Sequence, residues 1–376
     1  MSSVLNTRKT SGTVLIMAGG TGGHIFPALS IAEHLRERGY HIEWLGTEKG
    51  LEVQVLKGTG INLNFLSVTG LRGKGVAGLL LAPVMVTRAV WQALAVLRKV
   101  QPCCVLGMGG YVTGPGGVAA RLSGRTLVIH EQNAIAGFSN KMLAMIAAKV
   151  MQAFPGTFPK LRTSNRLLTT GNPVRKEIQQ IAVPGQRSEG RSGPLRILVL
   201  GGSLGAVAIN KIVPEMLARF APQDRPRVVH QTGNKNLEET CNWYQQHELG
   251  VNEDCQVLPF IEDMATVYAD ADLVICRAGA TTVCELAVAG VAAILIPYPY
   301  AVDDHQTMNA RWLSEAGGAL LIQQTDLNTE MLYQWVSDFS NDRARLLSMA
   351  NAARALAQPD ATEKVASVCM EVCNAG

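Results

Sequence analysis

Four features are missing from this 376-residue sequence: paired C-x-x-C cysteines, a block of basic residues, a signal-peptide core, and an unbroken apolar run long enough to cross a bilayer. Each absence removes a class of protein. Without C-x-x-C spacing the eight cysteines offer no zinc ribbon. Cys103, Cys104 and Cys276 lie in apolar runs and read as small core residues rather than disulfide partners. Cys369 and Cys373 share a helix face, but two cysteines lack the other ligands of a metal site. A net charge of +4 without a basic block argues against nucleic acid as a partner. Before Val14 to Ala18, an apolar run of only five residues, stand two basic residues, and so short a run predicts a cytoplasmic chain.

What is present is a globular composition, 47% hydrophobic and 17% charged, at a length that suits two domains. The organising stretch is Val14 to His24. A strand-length apolar run empties into four glycines, and Ile25 to Arg38 then repeats apolar residues at helical spacing. Glycines admit a ligand to the backbone, and the unpaired N–H groups and dipole of a helix start favour an anion. From Gly20 the sixth position is Ile25, so the dinucleotide fingerprint fails, and no Gly-Lys-Ser/Thr follows. A phosphate loop of another type is expected, with His24 at the helix entrance.

Strand and helix then alternate, which predicts a parallel sheet with helices on both faces. Cys103 to Gly107 reads as a buried strand leading to a second glycine loop, Met108 to Gly117. Leu127 to His130 ends in Glu131-Gln132-Asn133, and polar residues at a strand's carboxyl end are site candidates. Lys149 to Phe154 reads as the last strand of this half. A polar, proline-bearing boundary from Pro155 to Pro194 follows and holds Gly171 to Arg175, with Gly185 to Gly193 read as a mobile loop.

The opening pattern recurs at Leu195 to Phe220, with Gly201 to Ala206 as its loop, so the chain has two similar halves. Later units end at Ile261, at Arg277 to Glu285 and at Gln306. Asp270-Ala271-Asp272 resembles a metal-binding D-x-D motif, but it runs straight into the strand at Leu273 and reads as turn punctuation. No metal is expected. Two doubly wound α/β domains facing a cleft are the predicted architecture, with ligand between them.

Val76 to Leu97 is almost wholly apolar but contains Pro83, Arg88 and Gln92. An arginine near the middle of a spanning helix costs about 3 kcal/mol, so this segment does not span. Two readings remain. It is a helix pair dipping one apolar face into a bilayer interface, with Arg72, Lys74, Arg88, Arg98 and Lys99 around it, or it is a helix of the core.

With Gly19 to His24, Leu71 to Gly75, Gly107 to Gly117, His130 to Asn133, Gly171 to Arg175, Gly201 to Ala206, Arg277 to Glu285 and Gln306 in view, the chain resembles the MurG family. These are the transferases that move N-acetylglucosamine from UDP-N-acetylglucosamine to undecaprenyl-pyrophosphoryl-N-acetylmuramyl-pentapeptide. The resemblance implies a GT-B glycosyltransferase. It implies an acceptor- and membrane-binding domain over residues 1–171, a UDP-N-acetylglucosamine-binding domain over 172–358, and a final helix, 359–376, crossing back. By that likeness Ile261 reads uracil through its backbone and Glu285 takes the ribose hydroxyls. Ser203 with the helix start at Ala280, Thr281, Thr282, Val283 and Cys284 holds the diphosphate. Thr21, Gly22, Gly23, Asn133, Arg175 and Gln306 complete the donor site. Leu204 stands where the family often has Gln, and Cys284 where Ser is common.

The implied reaction is an inverting transfer without cofactor, forming a β-1,4 linkage from an α-linked donor. It needs a base for the acceptor hydroxyl and a stabiliser for departing UDP. His24 is the first candidate base and Glu131 the second; the division of labour stays open. The implied location is peripheral, on the cytoplasmic face of the inner membrane, against anionic lipid and near cell-wall assembly proteins. Two rival readings are a UDP-N-acetylglucosamine 2-epimerase and an inactive nucleotide-sugar-binding scaffold. A nicotinamide dehydrogenase is disfavoured by the failed glycine spacing.

Overall fold

The computed structural model describes residues 12–68, 75–201 and 206–375. The chain divides into two compact units, Met1–Pro173 with Asp360–Gly376, and Val174–Pro359. In the first unit the elements run β1 (Thr13–Ala18), α1 (Gly22–Glu37), β2 (His41–Gly46), α2 (Leu51–Val55), β3 (Asn62–Phe65) and α3 (Gly75–Val100). They continue through β4 (Cys104–Gly109), α4 (Thr113–Leu122), β5 (Leu127–Glu131), α5 (Phe138–Leu143), β6 (Lys149–Gln152) and β7 (Leu167–Thr169). The second unit opens with α6 (Lys176–Gln179), α7 (Pro184–Ser188), β8 (Arg196–Leu200), α8 (Val207–Leu217), β9 (Arg227–Gln231), α9 (Leu237–Gln246) and β10 (Cys255–Leu258). It ends with α10 (Met264–Asp270), β11 (Leu273–Cys276), α11 (Ala280–Ala289), β12 (Ala292–Leu295), α12 (His305–Ser314), β13 (Ala319–Leu321), α13 (Thr329–Asn341) and α14 (Arg343–Ala355). The last helix, α15 (Ala361–Ala375), belongs to the first unit.

Both sheets are parallel and share one plan: β3-β2-β1-β4-β5-β6-β7 in the first unit, β10-β9-β8-β11-β12-β13 in the second. Val14 to Ala18 is fully buried because helices cover both faces of the sheet, which is why the run has no polar alternation. From β1 the chain goes first to β2 on one side and later to β4 on the other. Strand order reverses there, so α1 and α4 pack on opposite faces of the sheet and a ligand site is expected at the carboxyl ends of β1 and β4. In the second unit β8 and β11 hold the same place.

Several expectations are corrected. The first sheet has an edge strand, β7, inside the stretch read as boundary; three residues are too few to show a period. The apolar segment forms one helix, α3, of 26 residues rather than a pair, and it continues through Pro83. Gly185 to Gly193 is pinned instead of loose. Arg187 donates to the carbonyls of Tyr268 and Ala289, and Arg191 to those of Ala269 and Asp270, so the two bind the last carbonyls of α10 and α11.

The cysteines also depart from the core-residue reading. Cys103, just before β4, is disulfide-bonded to Cys373 on α15 across 270 residues of sequence. Beside it Cys104 and Cys369, both fully buried, share a thiol hydrogen bond that pushes the Cys104 pKa up, with burial adding to the shift. Spacing rules see only local pairs, and these meet because α15 lays Val365, Ala366 and Cys369 against Ile25, Ala28 and Ile31 of α1 and against β4. Closing so long a loop stabilises by about 2–5 kcal/mol. Peptide mapping without reductant should recover the Cys103–Cys373 pair, and Cys373→Ser should lower the unfolding free energy by about that amount. An unchanged urea midpoint in the variant would refute the contribution.

Candidate functional site

In the first unit the site is made by two glycine loops meeting at the β1 and β4 ends. Gly110 has φ +86°, and a Cβ there would fall 2.2 Å from the Gly19 carbonyl oxygen, so only glycine lets the backbones touch. Gly109 does the same for a side chain: its missing Cβ leaves the space, 2.7 Å away, where the His24 imidazole lies. α1 starts at Gly22 behind an extended Thr21 whose hydroxyl makes no capping bond. Thr21 is exposed, and Gly22, Gly23 and His24 are half-buried.

Behind His24 runs a chain of hydrogen bonds. Its Nδ1 is 2.9 Å from Gln132 Oε1, Gln132 Nε2 is 3.2 Å from His130 Nδ1, and His130 Nε2 is 3.0 Å from the Gly171 carbonyl. His130 is completely buried, and burial lowers its pKa to about 4 against the opposing pull of the Gly171 carbonyl and Glu131. Gln132 is a sequence candidate as one of three polar residues at the end of its strand, whereas His130 reads only as the strand's last residue; no local pattern marks the pairing of Gln132 with His24, 108 residues away.

Glu131 is engaged differently. One carboxylate oxygen accepts from the Asn133 N–H (3.0 Å), the other from the Gly137 N–H (3.0 Å) and Asn140 Nδ2 (2.9 Å), with only 2% of the residue exposed. It organises the loop after β5 and aims Asn133.

The second unit gathers the other candidates. Glu285, in the second turn of α11 and buried, accepts from Arg175 Nη2 at 2.9 Å and from the Tyr268 hydroxyl at 3.2 Å. Burial raises its pKa, and the Arg175 charge opposes that shift. α11 begins after Gly279 with no side-chain cap, and the Thr281 hydroxyl there is buried without a hydrogen-bond partner. Ala280, Val283 and Cys284 are buried and Thr282 is half-buried, all in the first five residues of α11. Ile261 is buried in the loop after β10. Gln306 opens α12 and accepts the Tyr298 N–H at 2.9 Å, behind two residues, Asp303 and Asp304, held at φ 55° and 50°. Non-glycine residues in that left-handed region carry strain that packing must offset. Ser203 and Leu204, and most of Leu71 to Gly75, lie outside the described residues.

Asp272 accepts from Arg191 (2.7 Å), Arg343 (3.1 Å) and the Arg196 N–H (3.0 Å), and Asp270 pairs with Arg196. Both carboxylates are structural. Among the described residues no group of three or more His, Cys, Asp or Glu is placed to hold a metal ion.

Residues 14–152 match the glycosyltransferase family 28 N-terminal domain, and residues 196–365 match the C-terminal domain of that family. The chain is 51% identical over 363 residues to the UDP-N-acetylglucosamine–N-acetylmuramyl-(pentapeptide) pyrophosphoryl-undecaprenol N-acetylglucosamine transferase of Burkholderia cenocepacia, covering 96% of this chain and 97% of that one. The chain belongs to the MurG family. The Marinobacter nauticus enzyme of the same name is 52% identical, again over 96% of this chain and 97% of its own. The crystal structure of Acinetobacter baumannii MurG superposes with a TM-score of 0.80 at 41% identity, over 96% of this chain and 99% of that one. With these relatives, the two parallel-sheet units of this MurG-family chain are those of a GT-B glycosyltransferase. A UDP-N-acetylglucosamine 2-epimerase matches with a TM-score of 0.62 at 15% identity, which shows a common fold and nothing finer.

Two buried histidines give this MurG-family chain a definite acid response. His130 and, between Tyr244 and Asn210 in the second unit, His230 have folded pKa values lowered by burial to about 4 and about 3. Unfolded, each titrates near 6.5, so above that pH their contribution is complete. As pH falls the unfolded chain takes protons the folded one refuses, and stability drops by roughly 1.4 kcal/mol per pH unit per histidine until the folded values are reached. Urea midpoints should therefore fall between pH 6.5 and 4.5, and less steeply in His230→Gln; an equal slope in that variant would refute the assignment.

Proposed function

We propose that the chain moves N-acetylglucosamine from UDP-N-acetylglucosamine to the C4 hydroxyl of undecaprenyl-pyrophosphoryl-N-acetylmuramyl-pentapeptide. This is the lipid I to lipid II step of peptidoglycan synthesis. The observation that carries the reading is identity of about half over nearly the whole length of transferases bearing that name. The epimerase reading has only the shared fold behind it. A scaffold that has lost activity would have no reason to keep His24 against the Gly109 gap or the Arg175–Glu285 pair.

On this reading the second unit takes the donor. The uracil lies along the Ile261 backbone, the ribose hydroxyls donate to Glu285, and the diphosphate sits at the start of α11, where Thr281 holds an unused hydroxyl. Ser203 joins it by the family likeness, and Gln306 faces the sugar. The positive end of α11 and Arg175 stabilise UDP as it leaves. The first unit takes the acceptor and lends Thr21, Gly22, Gly23 and Asn133 to the donor site, and His24 accepts the proton of the attacking hydroxyl as the new β-linkage forms. Glu131 positions Asn133 instead of serving as the base, because its oxygens already hold the loop.

The lipid tail of the acceptor needs a surface. Val84 and Trp91 on α3, Leu122 on α4, and Phe138 and Met145 beside them are more than 60% exposed, and α3 packs on α4 and α4 on α5. Such a set belongs in a bilayer interface carrying anionic lipid, on the cytoplasmic face of the inner membrane, within reach of cell-wall assembly proteins. No described helix is long and apolar enough to cross a membrane.

The test is UDP release and product formation from UDP-N-acetylglucosamine and a short-chain lipid-linked muramyl-pentapeptide, with EDTA present. Wild type should turn over, and His24→Ala should lose about 10²–10⁴ in kcat while still binding UDP. Glu285→Gln should instead raise KM for the donor about tenfold or more. Donor binding without transfer would favour the scaffold, conversion of the donor alone would favour the epimerase, and an active His24→Ala would move the base elsewhere.

A further inference from the structure

Which nitrogen of His24 carries its proton follows from acceptors that end at backbone carbonyls. The Gly171 carbonyl can only accept, so His130 Nε2, 3.0 Å away and fully buried, must be the donor. Burial keeps His130 neutral near pH 7, so its Nδ1 carries a lone pair. Gln132 Nε2 faces that lone pair at 3.2 Å, the His130 carbonyl at 3.4 Å and the Met108 sulfur at 3.9 Å, three acceptors and no donor. The reverse orientation of the amide would set its oxygen against all three. The amide is therefore fixed with its oxygen toward His24, and an oxygen 2.9 Å from Nδ1 demands an N–H there.

We propose that Gln132 and His130 are positioning residues that lock His24 in its Nδ1–H tautomer, leaving the Nε2 lone pair as the base for the acceptor hydroxyl. The lock rests on the reading of His24 as that base. Its consequence is chemical, since a neutral imidazole accepts a proton only at the nitrogen without one. In water, imidazole side chains favour the opposite Nε2–H form, so the fold must choose the reactive one. Gly109 contributes by keeping the ring seated where Nδ1 meets the amide. The titratable groups that act on His130 are Glu131 and His24. Glu131 spends its carboxylate on the Asn133, Gly137 and Asn140 amides, so it does not compete with Gln132 for His24.

The deciding measurement is the ¹⁵N spectrum of histidine-labelled full-length protein at alkaline pH, where imidazole is neutral, with His24 assigned by its loss in His24→Ala. The lock requires Nδ1–H at His24 in wild type. Gln132→Met, which keeps length and removes the acceptor, should shift His24 toward Nε2–H and lower kcat about tenfold, with KM for UDP-N-acetylglucosamine unchanged within about twofold. Gln132→Glu should move the acid limb of kcat up by about one pH unit, since a carboxylate touching His24 favours imidazolium. An Nε2–H signal in wild type, or a Gln132→Met variant with unchanged tautomer and kcat, overturns the lock while leaving His24 as base. Full activity in His24→Ala overturns the role given to the lock even where the spectrum shows Nδ1–H, so the two failures are distinguishable.

Discussion

No side chain fits where the backbone of Gly110 meets that of Gly19, and the first unit's site depends on that contact. The β1 and β4 loops stand side by side because β1 and β4 are neighbouring strands, but only a glycine at 110 lets them close together. Once they do, the start of α1 is held over the β4 end and His24 falls into the gap left at Gly109. A methyl group at either glycine would have to displace backbone or the imidazole, and neither is a flexible chain end able to move aside cheaply. The apolar strands supply the platform; the glycines set how close the chemistry can come.

The second unit solves a different problem with the same topology. Its strand ends present a buried carboxylate, Glu285, which burial alone would drive toward the protonated form. Arg175, arriving from the segment that opens the unit, and the Tyr268 hydroxyl supply the charge and hydrogen bonds that keep it usable as an acceptor. An ionised acceptor serves sugar hydroxyls, which can donate, better than a carboxylic acid would. Arg187 and Arg191 work on the structural side of this unit, binding the last carbonyls of α10 and α11 and fixing the strand–helix frame on which Glu285 rides.

The sequence was most informative where a local pattern has one physical meaning. Val14 to His24 announces strand, loop and helix because apolar run, glycines and helical period follow one another without a gap. The repeat of that pattern at Leu195 gave two doubly wound halves, which the parallel sheets and the GT-B relatives bear out. Long-range partners were not legible. Cys103 and Cys373 are brought together by α15 lying on β4, and Gln132 meets His24 because β4 and β5 run parallel to β1; neither pairing has a spacing to read. Three-residue strands such as β7 are also too short to carry a period. Glu131 was legible only in part. As a carboxylate at a strand end it reads as a candidate base, while the hydrogen bonds by which it holds the loop after β5 have no sequence signature.

That contrast bears on how a base is best held. A carboxylate in contact with an imidazole orients it but also stabilises imidazolium, which favours a group that must carry a proton through the reaction. An amide gives the same orientation with no charge, which suits an imidazole that must begin neutral. In this chain a carboxylate and an amide are neighbours in sequence, and the alternation of a strand end sends them apart: Glu131 into the amides of its own loop, Gln132 toward His24. A shift of one residue in the β5 register would put Glu131 in the place of Gln132 and set a buried carboxylate against His24. The register pairing Val105 with Leu127 and Gly107 with Ile129 thus does more than place a strand, because it selects which kind of partner the imidazole meets.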